Sequence, residues 1–213
     1  MNRRFMGYWL FSEDVPSGTP VTEPYSRLFV FCLWIFLFAI SMTGNTEQSH
    51  AQSANDEYRV KAAFLFHFAQ LVDWPTDSMG ESGSPLVLCT IGDDPFHGDL
   101  ESIVDGKLIG AHMLRVRHLK RVQEIHGCQM LFVGRDEAAH LASLIAEAQS
   151  ASVLTVGEAE NFLGQGGVIN FTLDHGKLRF EINLNAAGRA RLRISSRLLL
   201  LAKNVVGNSG GDQ

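Results

Sequence analysis

The sequence contains none of the short motifs that mark the common enzyme and nucleotide-binding sites. No serine lies in a G-x-S-x-G elbow, and there is no H-E-x-x-H pair, phosphate loop or dinucleotide-binding fingerprint. The eight histidines have no paired spacing. Acidic pairs occur at positions 93–94 and 136–137, but both lie where helices are predicted to begin, and helix capping accounts for them. The sequence therefore predicts a protein that is not an enzyme and has no metal or cofactor site.

An excess of basic residues is also lacking. The chain has 18 lysines and arginines against 23 aspartates and glutamates, which gives a formal net charge of −5 at pH 7. Proteins that bind nucleic acid concentrate positive charge because the phosphate backbone is negative. We therefore expect no nucleic acid among the partners.

Long apolar runs are limited to one, at residues 28–42, which carries no charge and directly follows Arg27. A membrane-spanning helix needs about 20 residues, so this shorter run is typical of the apolar region of a secretory signal. Ser49 and Ala51 supply small side chains at the spacing of a cleavage site. The prediction is a signal peptide over residues 1–51 and a mature start near Gln52. The segment before Arg27 is long for a signal and its charges cancel, so a later start methionine or an uncleaved anchor is the alternative.

Two cysteines, Cys89 and Cys128, remain after such a signal is removed, because Cys32 lies in the apolar run. An even number of cysteines in an exported chain favours a disulfide. A metal site formed by the two cysteines and His126 is the alternative. No further cysteine or histidine lies at a ligand-like spacing, so the disulfide is the preferred interpretation.

Short apolar runs alternate with helical patterns through the middle of the chain. Such runs are typical of strands buried on both faces, and alternation with helices indicates a parallel sheet covered on both sides. Predicted strands lie at 85–91, 107–109, 113–119, 128–133 and 153–156. The first predicted helix begins at a cap on Asn55 or Asp56 and ends near Trp74. Further helices are predicted at 96–104, 137–148 and 158–162. The predicted fold class is α/β, a single domain over residues 52–206 with a mostly parallel mixed sheet flanked by helices.

An antiparallel hairpin is predicted next, because residues 168–173 and 177–184 alternate in type around the turn Asp174-His175-Gly176. One face is apolar. The other face carries Asn170, Thr172, Arg179, Glu181 and Asn183. A closing helix is expected from Ser195 or Ser196 to Val205, with the leucines at 198–201 buried on nearly all sides. Residues 207–213 are predicted to be a disordered tail.

Seven blocks of sequence carry a family likeness. They are VKAAFLFHFAQLVDWP at 60–75, LCTIGDDPF at 88–96, CQMLFVG at 128–134, LTVGEAENF at 154–162, GGVINF at 166–171, KLRFEINLNAA at 177–187 and SSRLLLLA at 195–202. Together they resemble the YfiR family of periplasmic regulatory proteins over nearly all of the chain after residue 52. The resemblance implies an exported α/β protein that restrains a membrane-bound signalling enzyme, a diguanylate cyclase, and so lowers cyclic-di-GMP output and biofilm formation. A small-ligand-binding module that reports to a histidine kinase or transporter is the alternative.

The resemblance also carries over to particular residues. Cys89 and Cys128 match the cysteines of the LCTIG and CQMLFVG blocks, whereas a second bridge of the family's namesake has no counterpart here. It implies a ligand or partner site at Glu181 and Arg193, with Ser195 as a further candidate. Asn183 joins this set because it lies on the polar face of the hairpin. The implied partners are an inner-membrane signalling protein, an outer-membrane protein, a small-molecule ligand and a second copy of the chain.

Overall fold

A mixed sheet of eight strands organises the structure. The computed structural model describes residues 46–207, and the side chains of residues 55–137 and 139–207. The strands are β1 (Val72–Asp73), β2 (Leu86–Ile91), β3 (Leu108–Ile109), β4 (His112–Leu119), β5 (Met130–Val133), β6 (Leu154–Gly157), β7 (Ile169–Asp174), β8 (Lys177–Asn183), β9 (Arg193–Ile194) and β10 (Asn204–Val206). The order in the large sheet is β10-β8-β7-β6-β5-β2-β4-β3, and β1 pairs with β9 in a second, two-stranded sheet.

The centre of the large sheet is parallel. Strand β2 pairs in parallel with β4 and β5, β5 with β6, and β6 with β7. Every residue of β5 and β6 is buried, as parallel strands covered on both faces require. The β7–β8 pair is antiparallel, with Asn170 opposite Glu181. The predicted α/β fold, with a mostly parallel sheet and a C-terminal antiparallel hairpin, is confirmed.

Helices cover both faces of the sheet. They are α1 (Thr46–Leu71), α2 (Thr76–Met79), α3 (Asp99–Val104), α4 (Leu141–Ser150), α5 (Leu184–Arg189) and α6 (Ser196–Leu201), with 3-10 turns at Val122–Ile125 and Arg135–His140. On one face Phe68 of α1 packs against Phe171 and Phe180, with ring centroids 5.7 and 5.0 Å away. On the other face Leu144 and Ile145 of α4 belong to a second core. The hairpin and α1 thus share one core.

The first helix differs from its prediction. Helix α1 begins at Thr46, so Asn55 and Asp56 lie inside it and do not cap its start. Residues 46–54 include good helix formers and neither glycine nor proline, which lets the helix extend. Of the predicted signal at 1–51, residues 1–45 lie outside the residues that the structure describes. The predicted cleavage position falls within the range of α1.

The C-terminal segment also differs from its prediction. Helix α6 ends at Leu201, and the chain then forms β10 beside β8, where the Lys203 N–H donates to the Phe180 carbonyl at 2.8 Å. The expectation that the leucine run is buried on nearly all sides is wrong, because Leu200 is 86% exposed and Leu201 59%. Pairing with β8 supplies the backbone hydrogen bonds that a longer helix would have made.

Smaller differences concern helix starts and the loops. The predicted helix at 96–104 begins at Asp99, and Asp94 instead accepts a hydrogen bond from the Phe96 N–H at 3.0 Å. Residues 158–162 form turns and not a helix. The segment between the hairpin and the closing helix contains α5. Residues 208–213 of the predicted tail lie outside the residues that the structure describes. Among the helices within 46–207, none is both long and apolar enough to cross a membrane.

Candidate functional site on the C-terminal hairpin

The polar face of the hairpin keeps the residues that the alternation predicted. In the β7–β8 pair, Thr172 lies opposite Arg179 and Asn170 lies opposite Glu181. These four side chains therefore project from the same face of the hairpin. We call Asn170, Thr172 and Glu181 the polar strip. Asn170 Oδ1 and Thr172 Oγ1 are buried and have no hydrogen-bond partner among the described residues. Because buried polar atoms are nearly always paired, the strip indicates a position where water, a ligand or a partner supplies donors.

Two of the predicted site residues cap helices. Asn183 Oδ1 accepts from the Ala186 N–H, and its Nδ2 donates to the Leu163 carbonyl, both at 3.0 Å. Ser195 Oγ accepts from the Arg197 N–H at 3.3 Å. Such a cap stabilises its helix by roughly 1 kcal/mol. A ligand that used Asn183 or Ser195 would therefore replace hydrogen bonds that already hold α5 and α6.

Arg193 lies in a different sheet from Glu181. It is exposed on β9, opposite Asp73 of β1, whereas Glu181 is half-buried on β8, with Asn170 on one neighbouring strand and Asn204 on the other. The structure therefore groups Glu181 with the polar strip and places Arg193 outside it.

A buried cluster of charges lies at the carboxyl ends of β5 and β6, where no functional site was predicted from the sequence. Lys61 Nζ is 2.5 Å from Glu158 Oε2 and 2.5 Å from Glu57 Oε1. The Tyr58 hydroxyl donates to Glu158 Oε1 at 2.8 Å, and Arg135 Nε lies 3.5 Å from Glu158 Oε2. The side chains of Lys61 and Glu158 are only 1% and 2% exposed. Both oxygens of Glu158 thus have partners, and these contacts fix the position of its carboxyl group.

Tyr58 shows the electrostatic effect of this cluster. Burial, followed by the hydrogen bond to the Glu158 carboxylate, raises the pKa of Tyr58 far above its usual range. The Lys61 ammonium lies 4.1 Å from the centre of the tyrosine ring, a cation–π contact that holds the ring in place. Only the Glu57–Lys61 pair, one helical turn apart, could have been found from sequence.

A small pocket connects the charged cluster to the hairpin. Its volume is about 20 Å³, which suits one or two water molecules and is far below the ~300 Å³ of a typical small-molecule site. The pocket is lined by Glu57, Lys61, Arg135, Glu158, Phe171, Thr172, Leu173 and Leu178. Thr172 belongs to both the pocket and the polar strip.

Cys89 and Cys128 are joined by a disulfide, with their Cα atoms 5.9 Å apart. Both are buried. Arg117 Nη2 lies 3.0 Å from Cys128 Sγ and donates to the carbonyls of Glu124 and His126. The sulfurs bond to each other, and His126 Nε2 lies 3.1 Å from Glu147. In this arrangement the cysteines link β2 to the start of β5 and are not metal ligands.

Comparison with known proteins gives a family and little else. The sequence pattern of the family described as YfiR/HmsC-like matches residues 58–203, more than half of the chain. No curated protein matches the chain significantly. A conserved domain protein of Vibrio cholerae is similar in structure, with 12% identity, a TM-score of 0.42, and coverage of 56% of this chain and 54% of that one. An ABC domain from Streptococcus pneumoniae, solved with L-Trp, has 12% identity, a TM-score of 0.41, and coverage of 57% and 55%. The chain thus spans about half the length of these two.

Proposed function

Since the chain belongs to the YfiR/HmsC-like family, we propose that it is a periplasmic regulatory protein that restrains a membrane-bound signalling enzyme. The enzyme we propose is a diguanylate cyclase, so that the protein lowers cyclic-di-GMP output and biofilm formation. The family match over residues 58–203 carries this proposal. The family is regulatory, and we propose no catalytic activity for this chain.

The polar strip is the surface that we propose for contact with the partner. Its support is that Asn170 and Thr172 lie on one face of the hairpin with the half-buried Glu181, and that one side-chain oxygen of each lacks a hydrogen-bond partner among the described side chains. Glu181, half-buried between them and β10, adds a carboxylate that an arginine or lysine of the partner would pair with. Such a charge pair at a partly desolvated surface would contribute more than an exposed one.

Deletion of the gene tests the proposed function. We expect cyclic-di-GMP and biofilm to rise several-fold in the deletion strain and to return to normal when the intact gene is supplied. A copy with Glu181→Gln should fail to restore them, while the matched copy with Lys177→Gln, exposed on the same strand, should succeed. Unchanged cyclic-di-GMP in the deletion strain, with the cyclase intact, would refute the proposal.

A small-ligand-binding module that reports to a histidine kinase or transporter is the second candidate. The unpartnered oxygens of Asn170 and Thr172 favour it. A thermal-shift screen with nucleotides, amino acids and inorganic anions tests it, because a ligand at a hundredfold excess over its Kd stabilises by about 2.7 kcal/mol. We expect a shift that is lost in Arg193→Ala if the family-derived position binds the ligand. A screen without any shift counts against this candidate.

Two further partners are part of the proposal. An outer-membrane protein would relieve the restraint, and a second copy of the chain would form a homodimer. Light scattering of the purified protein over a range of concentrations measures the mass, and a monomer at all concentrations would exclude the dimer. Cross-linking in intact cells, followed by mass spectrometry, identifies any outer-membrane protein that is bound.

A further inference from the structure

The segment from α5 to β10 has charge of one sign. Residues 189–203, RARLRISSRLLLLAK, contain no acidic residue. They contain five cations, which are Arg189, Arg191, Arg193, Arg197 and Lys203. Because the whole chain has a formal charge of −5, the remainder carries −10. This short segment is therefore a local reversal of the charge of the molecule.

Part of this charge is neutralised within the fold. Arg191 Nη1 lies 2.8 Å from Asp77 Oδ2, and Lys203 Nζ lies 3.5 Å from Asp174 Oδ1. Arg193 and Arg197 are exposed, and neither forms an ion pair with an acidic side chain of residues 55–137 or 139–207, whose side chains the structure describes. These two guanidinium groups are thus available to an external anion.

Exposed leucines follow these arginines closely in the chain. Leu200 is 86% exposed and Leu201 59%, whereas Leu198 is 1% exposed and anchors the helix to the core. Arg197 precedes Leu200 and Leu201 by three and four residues, so the three side chains share one side of α6. We call Arg193, Arg197, Leu200 and Leu201 the α6 surface. Adjacent leucines at this exposure are unusual on a globular protein and mark a contact surface.

We propose that the α6 surface binds an anionic phospholipid bilayer, with the arginines at the phosphate groups and the leucines in the interfacial layer. The cationic character matches a negative headgroup surface. Leu200 is 86% exposed, and a bilayer accepts protruding apolar side chains without a complementary pocket. This inference goes beyond the proposed function, which concerns a protein partner at the polar strip.

The test is co-sedimentation with vesicles of phosphatidylethanolamine and phosphatidylglycerol, using the protein in the form in which it accumulates in the cell. Each arginine at an anionic surface is worth about fivefold in binding, so Arg193→Gln with Arg197→Gln should weaken binding about 30-fold. Leu200→Ser with Leu201→Ser should weaken binding by more than about tenfold. Binding should fall between about 0.1 M and 1 M salt as the charges are screened.

A matched control removes the same kinds of side chain at the opposite edge of the sheet. Leu108, 64% exposed on β3, is changed to Ser together with Arg115→Gln on β4, and this variant should bind as the unchanged protein does. Thermal melts establish that each variant is folded. The proposal is wrong if the protein does not bind these vesicles or binds phosphatidylcholine vesicles equally well. It is also wrong if the control substitutions weaken binding as much as the α6 substitutions do. If the protein binds native membranes but not vesicles of their extracted lipids, the α6 surface binds a membrane protein, and the lipid proposal is also wrong.

Discussion

The Lys61 ammonium lies 2.5 Å from a carboxylate oxygen of Glu158, and both side chains are almost completely buried although 97 residues separate them. The pair joins α1 to the end of β6, next to the pocket and the hairpin. Taking two charges out of water is costly, and the cost is recovered only while both partners and their hydrogen bonds are in place. The position of α1 on the sheet therefore depends on this contact.

Removal of Lys61 should strongly destabilise the protein. In Lys61→Met the Glu158 carboxylate stays buried with weaker compensation, and we expect the free energy of unfolding to fall by about 3 kcal/mol. The neighbouring Arg59 has an exposed side chain 3.8 Å from Asp99, so Arg59→Met should cost less than about 1 kcal/mol. Urea unfolding measures both variants. Equal midpoints for the two would show that the buried pair contributes nothing.

The Tyr58 phenol should keep its proton to unusually high pH. Burial and the hydrogen bond to Glu158 raise the pKa of Tyr58 well above the value of about 10 found in unfolded chains. Tyr58 is the sole tyrosine after residue 51, so the ultraviolet absorbance of phenolate reports on it directly once the predicted signal is removed. A midpoint near 10 in the folded protein would contradict this assignment.

The same shift makes stability depend on pH at the alkaline end. As pH rises above about 10 the unfolded chain loses the phenol proton first, so the free energy of unfolding decreases until the folded-state pKa is reached. Below about 10 this contribution is fully present. Tyr58→Phe should remove that part of the alkaline decline and cost about 2 kcal/mol at neutral pH, because Glu158 loses a donor. Urea unfolding of both proteins across the alkaline range measures the difference.

The Cys89–Cys128 bridge should be the main covalent contribution to stability. It closes a loop with a sequence separation of 39, which in the chain-entropy model is worth about 4 kcal/mol. Replacement of both cysteines by serine should lower the free energy of unfolding by about 2–4 kcal/mol, and reduction of the intact protein should do the same. Alkylation and mass mapping without a reductant should find no free thiol at either position.

Two glycines should be irreplaceable because Phe162 lies against both. A Cβ at Gly157 or Gly167 would overlap the phenylalanine ring, which is fully buried. Gly157→Ala and Gly167→Ala should each destabilise by about 1–3 kcal/mol. Gly188 lies in α5 with open space around its Cα, so Gly188→Ala should stabilise by about 0.5–1 kcal/mol. Thermal melts that rank all three variants alike would show that the ring is free to move.

Local patterns were enough to predict the sheet and the hairpin. A short apolar run such as 130–133 identifies a buried parallel strand because the whole signal lies within a few residues. The alternation around Asp174 likewise identified the polar strip, since side chains on a strand alternate between its faces. These features depend on neighbours in sequence, which a single chain displays in full.

Features that depend on distant residues were not predictable. Nothing near Lys61 shows that its partner is Glu158, because sequence separation conceals the contact. The run Leu198–Leu201 fits a fully buried helix as well as an amphipathic one, and the choice is made by β8, with which the following residues pair. Asn183 stays a predicted site residue, and its capping of α5 was not predicted because a capping amide and a ligand-binding amide have the same chemistry.

Strand β10 has a further consequence for the behaviour of the chain at high concentration. With Asn204 to Val206 in place, β10 pairs with Glu181 to Asn183 of β8, and the outermost strand on that side of the sheet is only three residues long. An edge this short is a poor template for the strands of other molecules. A chain that ended before Asn204 would leave the longer edge of β8 open, and aggregation of such a truncated protein would follow from the loss of a few terminal residues.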